Sequence, residues 1–75
     1  MKYVVSLNGS FEDVCNYKQA AINKAKEIYN KLSDEDKKYS FVTVDECAEV
    51  VYYQYEVDCY DDEYLQENST LILEI

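Results

Sequence analysis

The hydrophobic positions of the chain recur at two different spacings, which predict one helix among several strands. Lys2–Leu7 reads KYVVSL, a β-branched and aromatic run that predicts a strand. Three apolar side chains share one face of such a strand: Tyr3, Val5 and Leu7. The Asn8-Gly9 pair that follows is typical of a type I′ turn. Residues 10–14 then either pair back as a short strand or run as a loop.

Residues 17–32 carry the helical spacing. Their apolar positions form one stripe at intervals of four, three and four: Ala21, Ala25, Ile28 and Leu32. Lysines occupy the other side of this predicted helix. Asn16 is a favourable N-cap residue, and Gln19 stands three positions later, where the partner of a capping box belongs.

The next part of the chain returns to strand-like patterns. Residues 33–38 are polar and predict a connector, and residues 40–45 (SFVTVD) predict a second strand. Residues 46–49 are ambiguous, because Thr43 and Glu46 have the spacing of a capping box and allow a helical turn.

Residues 50–59 (VVYYQYEVDC) alternate and predict a third strand. Its core face would hold Val51, Tyr53, Tyr55, Val57 and Cys59. Residues 60–68 form either an acidic loop or a short helix. Residues 70–75 predict the last strand, with Leu71, Leu73 and Ile75 inward.

The fold class predicted from this order is α+β. A single helix packed on a mostly antiparallel β-sheet, in the order β-α-β-β-β, buries the helical stripe against a sheet face. The 75 residues provide for a single domain, residues 1–75. A core this small would gain from a partner, which makes a homodimer possible.

Charge is the most informative feature for function, because the net charge of −9 is unevenly distributed along the chain. Residues 1–33 sum to +2, whereas residues 34–75 hold thirteen acids and two lysines and sum to −11. Such segregation produces a strong negative field over part of the surface. The negative sum and the absence of Arg argue against direct nucleic-acid binding.

Several kinds of chemistry are excluded or disfavoured by residue content. The chain has no His, so Ser-His and Cys-His nucleophiles are excluded, and its single Gly cannot build a phosphate-binding loop. We therefore expect a protein that is not an enzyme and holds no cofactor or metal. The odd count of three cysteines, without a CxxC spacing, predicts free thiols in a reducing compartment.

A membrane or calcium role has less support. No apolar run approaches the length of a membrane span, and the N-terminus lacks the features of a signal peptide, so we expect a cytoplasmic protein. The run Asp58-Cys59-Tyr60-Asp61-Asp62-Glu63 offers oxygen ligands, but it lacks the glycine and the spacing of an EF-hand loop. Weak calcium binding stays open as a second alternative.

The acidic surface is the strongest functional candidate. On a strand, same-face carboxylates such as Glu56 and Asp58 would stand about 6.6 Å apart, a spacing that can imitate a phosphate track. Tyrosines between the acids would supply interface area. The candidate partner-binding residues are Asp45, Glu46, Glu49, Tyr52, Glu56, Asp58, Tyr60, Asp61, Asp62, Glu63, Tyr64 and Glu67. A solvated face that only keeps the protein soluble is the alternative.

In size, acidity, tyrosine content and poverty in Pro and Gly, the chain resembles small phage-encoded inhibitors, namely anti-CRISPR proteins and anti-restriction DNA mimics. The resemblance lies mainly in residues 34–75. These families share no motif, so no residue role carries over. The resemblance implies a partner that is a basic, nucleic-acid-binding protein of a bacterial host, such as a Cas effector or a restriction enzyme. A structural or adaptor protein that binds mainly through apolar surface is the alternative.

Overall fold

The computed structural model describes residues 1–57 and 62–75, which form an antiparallel sheet with helices on both faces. The elements in chain order are β1 (Lys2–Leu7), β2 (Ser10–Cys15), α1 (Lys18–Lys31), α2 (Asp34–Tyr39), β3 (Val42–Cys47), α3 (Glu49–Val57), α4 (Asp62–Asn68) and β4 (Thr70–Glu74). The strand order in the sheet is β2-β1-β3-β4. The predicted α+β class is confirmed, whereas the single helix and the order β-α-β-β-β are wrong.

The first hairpin follows from its turn residues. Asn8 and Gly9 have φ angles of 52° and 82°, as a type I′ turn requires at both central positions. β2 pairs antiparallel with β1, so residues 10–14 form a strand rather than a loop. The Asn8 backbone and side chain also bond to Phe41, which fixes the turn against the start of β3.

Helix α1 lies within one residue of its predicted bounds at each end. Ala21 and Ala25 are fully buried, and Ile28 packs on the same cluster, as the stripe predicted. The predicted cap is wrong: Tyr17 is the N-cap and makes no side-chain cap bond. Asn16 instead accepts a hydrogen bond of 2.7 Å from the Lys2 ammonium.

The predicted polar connector contains helix α2. The Ser33 hydroxyl accepts a hydrogen bond from the Asp36 amide at 3.1 Å, which caps the helix. Acids fill its first turn and lysines its last, an order that complements the helix dipole. Because α2 buries no residue, it has no apolar stripe by which the sequence could indicate it.

Helix α3 occupies most of the predicted third strand. Tyr52 and Tyr55 are buried and Val51 packs beside them, which is a helical spacing, whereas Tyr53 is 51% exposed. The predicted core face of a strand is therefore wrong. β-branched and aromatic residues favour strands, but here burial against a sheet face overrides that propensity.

The boundaries of β3 and β4 also differ from prediction. β3 runs through Cys47, so Thr43 lies inside a strand and caps no helix. The pairing of β3 with β4 shifts between Val44 and Asp45, and both Ile72 and Leu73 pack on the α1 side. Leu71, predicted inward, is 52% exposed. For residues 60–68, helix α4 confirms the helical alternative from Asp62 onward.

Two clusters divide the core between the faces of the sheet. Val5, Val42 and Val44 pack with α1, while Val4 and Cys47 pack with α3 and α4. Adjacent residues of a strand point to opposite faces, so the Val4-Val5 pair serves both clusters. Tyr3, Val5 and Leu7 share the α1 side as predicted.

Candidate functional site

The two helical layers carry opposite charge. Helix α1 holds four lysines and one glutamate. The segment that spans α3 and α4, residues 49–68, holds seven acids and no base. We call α3 and α4 the acidic layer. Because the sheet lies between α1 and the acidic layer, it separates the lysines of α1 from the acids of α3 and α4.

The structure places the predicted residues of β3 on different faces. Asp45 is paired with Val4 of β1, and Glu46 is paired with Tyr3. Asp45 therefore shares the face of the acidic layer, whereas Glu46 shares the face of α1. Both side chains are half-buried.

Three predicted glutamates lie in the acidic layer and are exposed: Glu49, Glu63 and Glu67. Glu49 stands 3.9 Å from the Lys2 ammonium. Glu63 and Glu67 are one helical turn apart on α4, at a spacing that makes like charges repel slightly. In residues 1–57 and 62–75 the ion pairs are Lys2–Glu49 and Lys31–Glu27, so neither of these α4 carboxylates is paired with a lysine of that part.

The two described tyrosines of the prediction belong to the packing of the acidic layer. Tyr52 is only 8% exposed and lies in the core cluster. Tyr64 packs against that cluster, and its hydroxyl donates to the Gln54 side chain, which joins α4 to α3. The other predicted positions lie outside the described residues or side chains: Glu56, Asp58, Tyr60, Asp61 and Asp62. The third strand on which a carboxylate row was expected is helix α3 as far as Val57, and this helix includes Glu56.

A groove of about 340 Å³ lies where the acidic layer leaves part of the sheet uncovered. Strands form its floor and α4 forms one wall. Its lining residues are Ser6, Gly9, Phe41, Thr43, Asp45, Leu65, Gln66, Ser69, Leu71 and Glu74. Of these, only Asp45 was among the predicted site residues. The others went unnoticed because the groove depends on the strand register, although Thr43 and Asp45 at i and i+2 carry a weak signal in the alternation of β3.

Asp45 is the unusual group of this groove. Burial raises the pKa of its carboxyl above the ordinary value of an aspartate. No described lysine forms an ion pair with it. The same face carries Cys47, whose pKa is raised by its own burial and by the nearby Asp45 charge. A positive charge beside the Asp45 carboxylate would lower this pKa again, because it would stabilise the ionised form.

Metal chemistry has no built site in the described part of the chain. No group of three or more potential ligands from His, Cys, Asp and Glu stands together among residues 1–57 and 62–75. The calcium alternative rests on the run 58–63, most of which lies outside those residues. Cys15 and Cys47 are free thiols, and burial raises the pKa of each.

Comparison with known proteins gives no relative to which this site could be aligned. No family model, curated protein or solved structure matches the chain. Across the described segments, every helix is too short or too polar to cross a bilayer. The functional argument therefore depends on the charges and the geometry of the molecule itself.

Proposed function

We propose that this protein is a non-enzymatic inhibitor that binds a basic, nucleic-acid-binding bacterial enzyme, such as a Cas effector or a restriction enzyme, and blocks access of DNA. The observation that carries the proposal is the separation of charge across the sheet, with a helical layer that has acids and no base on one side. A surface of this kind complements the positive channel in which such an enzyme holds its nucleic acid.

The packing of the acidic layer supports a role as a rigid surface. Tyr52, Tyr55 and Leu65 are buried under it and hold both helices against Val4 of the sheet. The glutamates of α4 consequently project from an anchored element. Preorganised charges lose little conformational entropy when they meet a partner, which favours binding over mere solvation.

The lysine-bearing face of α1 fits this proposal as the side that faces away. Lys31 pairs with Glu27 of the same helix at 3.0 Å, and α1 contributes no acid beyond that glutamate. A partner with a basic channel would be repelled by this face. The charge separation therefore orients the protein during the encounter.

The test is inhibition of DNA cleavage by purified guide-loaded Cas effectors and restriction endonucleases. We expect the wild-type protein to inhibit a member of this set, with an apparent Kd that rises steeply between low and high salt and with relief by competing duplex DNA. A triple variant, Glu49→Gln, Glu63→Gln and Glu67→Gln, should lose about tenfold or more in affinity. Lys18→Gln, Lys24→Gln and Lys26→Gln form the matched control on α1 and should retain binding.

An adaptor that binds through apolar surface is the second candidate. It is favoured by Phe41 and Leu71, two large apolar side chains that are 42% and 52% exposed beside the groove. An adaptor would bind its partner with little dependence on salt, and the glutamate triple variant would leave affinity unchanged. That pair of results would overturn the inhibitor proposal.

A further inference from the structure

The groove beside α4 combines acceptors with apolar walls. Two cross-strand pairs of β3 and β4 lie on its floor: Asp45 is paired with Leu71, and Thr43 is paired with Glu74. Ser6 of β1 faces Thr43 from the other side. Leu65 lines the groove from α4, next to Gln66. Carboxylates, hydroxyls and aliphatic carbon thus meet in one space.

The size and chemistry of this space restrict its occupant. A volume of about 340 Å³ is at the small end of ligand pockets, so it suits a side chain better than a folded segment. Arginine has an aliphatic stem that packs on apolar surface and a guanidinium with five donors. Two carboxylates on adjacent strands, with hydroxyls beside them, offer acceptors at separate positions for that fork.

We propose that the groove receives an arginine side chain of the protein partner, with Asp45 as the principal acceptor. This inference rests on the proposed function and deepens it, because it names the anchor of the same interface. Asp45 lies half-buried at the floor, and Glu74 adds a second negative charge from the neighbouring strand. An arriving guanidinium would offset the cost of keeping the Asp45 carboxylate ionised away from water.

The end of the groove near Gly9 and Phe41 is held in place before any partner arrives. The Phe41 amide donates to the Asn8 side-chain oxygen at 2.9 Å, and the Asn8 amide donates to the Phe41 carbonyl at the same distance. The Asn8 side-chain amide also donates to the Ser40 hydroxyl at 3.3 Å. A pre-formed wall lowers the entropic cost of binding one side chain.

The first experiment uses a single side-chain probe. Nα-acetyl-arginine methylamide is titrated into the isotope-labelled protein while backbone amide NMR shifts are followed. We expect shifts concentrated at Ser6, Thr43 and Leu71, and an affinity reduced about fivefold or more by Asp45→Asn. Glu35→Gln removes the same charge from the exposed first turn of α2, outside the acidic layer and the groove, and is the matched control, with affinity unchanged within about twofold.

The lysine analogue of the probe tests whether the groove prefers a guanidinium to an ammonium. It has the same kind of stem but a single charge centre, so we expect weaker binding than for the arginine probe. Equal binding of both probes, shifts spread over the whole acidic layer, or an affinity that Asp45→Asn leaves intact would each overturn the groove as an arginine site.

A second probe separates failure of the groove from failure of the proposed function. Binding of a fluorescent nona-arginine peptide is measured for the wild type, for Asp45→Asn and for the glutamate triple variant. If both variants bind more weakly, the groove and the acidic layer are supported together. If only the triple variant does, the groove proposal is wrong and the inhibitor proposal stands. If neither does, both are overturned.

Discussion

Both faces of the sheet are covered by helices, but the side chains that pack against them differ in size and in how completely they are buried. On the α1 side, small residues of the helix, Ala21 and Ala25, bring it close to three valines of the strands, and all of them are fully buried. On the other side, two short helices cover the sheet with Tyr52, Tyr55 and Leu65, each of which keeps some exposure, and they leave a groove uncovered.

The difference indicates which face serves stability and which is free for binding. On the α1 face the core cluster holds no charged side chain, and Lys18, Lys26 and Lys31 of the helix are exposed. The opposite face keeps a half-buried aspartate and exposed apolar side chains at the groove, features that cost stability and are common at binding sites. Substitutions on each face, and one that belongs to neither, test this division.

The largest effect is expected from a charge on the α1 face. Ala25→Asp places a carboxylate at a fully buried position against the valines, which costs several kcal/mol and should unfold most of a domain this small. Far-UV circular dichroism and urea denaturation report it. Ala20→Asp, on the same helix but exposed, is the control and should stay folded. Equal stability of the two variants would contradict the tight packing of this face.

A side-chain truncation in the acidic layer should lower the free energy of unfolding by less than the buried charge does. Leu65→Ala removes a side chain that is 5% exposed beneath α4 and should lower the free energy of unfolding by about 2 kcal/mol. Amide hydrogen exchange should accelerate more in α3 and α4 than in α1. Leu71→Ala, at an exposed apolar position, is the control with a change of less than about 0.5 kcal/mol. Uniform acceleration throughout the chain would mean that the two faces unfold as one unit.

The cap of α2 tests a local effect that belongs to neither face. Ser33→Ala removes the hydroxyl that accepts from the Asp36 amide and should cost about 1 kcal/mol. Urea denaturation measures it, with Ser10→Ala at the exposed start of β2 as the control. A loss no greater than that of the control would show that this capping hydrogen bond contributes nothing to stability.

The smallest effect, and the only one of opposite sign, concerns Asp45. Because its pKa is raised in the folded state, the folded protein holds this proton more tightly than the unfolded chain, and stability falls as pH rises through the folded-state pKa. Asp45→Asn removes that loss. Relative to the wild type, the variant should melt a few degrees higher at pH 7, and the advantage should shrink toward pH 3.

Thermal melts of both proteins across this pH range provide the measurement. The other carboxylates are the same in both proteins, so their effect on the pH dependence of stability cancels in the difference between the two melting temperatures. Asp34→Asn, in the exposed first turn of α2, is the control and should show no such pH-dependent gain. A variant that is less stable than the wild type at pH 7 would mean that Asp45 serves the fold. In that case the contrast between the two faces would lose its main support.

Local sequence determined the elements that depend on neighbours in the chain. The Asn8-Gly9 turn follows from the positive φ angles that these residues tolerate, and α1 follows from one stripe of apolar residues. The concentration of acids in residues 34–75 was equally visible, because the charge of a segment follows from its residue content and needs no knowledge of the fold. The α+β class and the uneven distribution of charge between the two halves of the chain were therefore predictable from residue patterns alone.

The conformation of residues 50–57 and the position of the groove depend on packing between distant parts of the chain. Valines and tyrosines there favour a strand in isolation, but Val4 and Cys47 present a second apolar face that a helix covers. The groove needs Asp45 of β3 beside Leu71 of β4, positions that meet through a register shift. Both outcomes depend on contacts between residues distant in the chain. The free energy of these contacts outweighs local propensity, and the sequence carries only weak periodic signals of them.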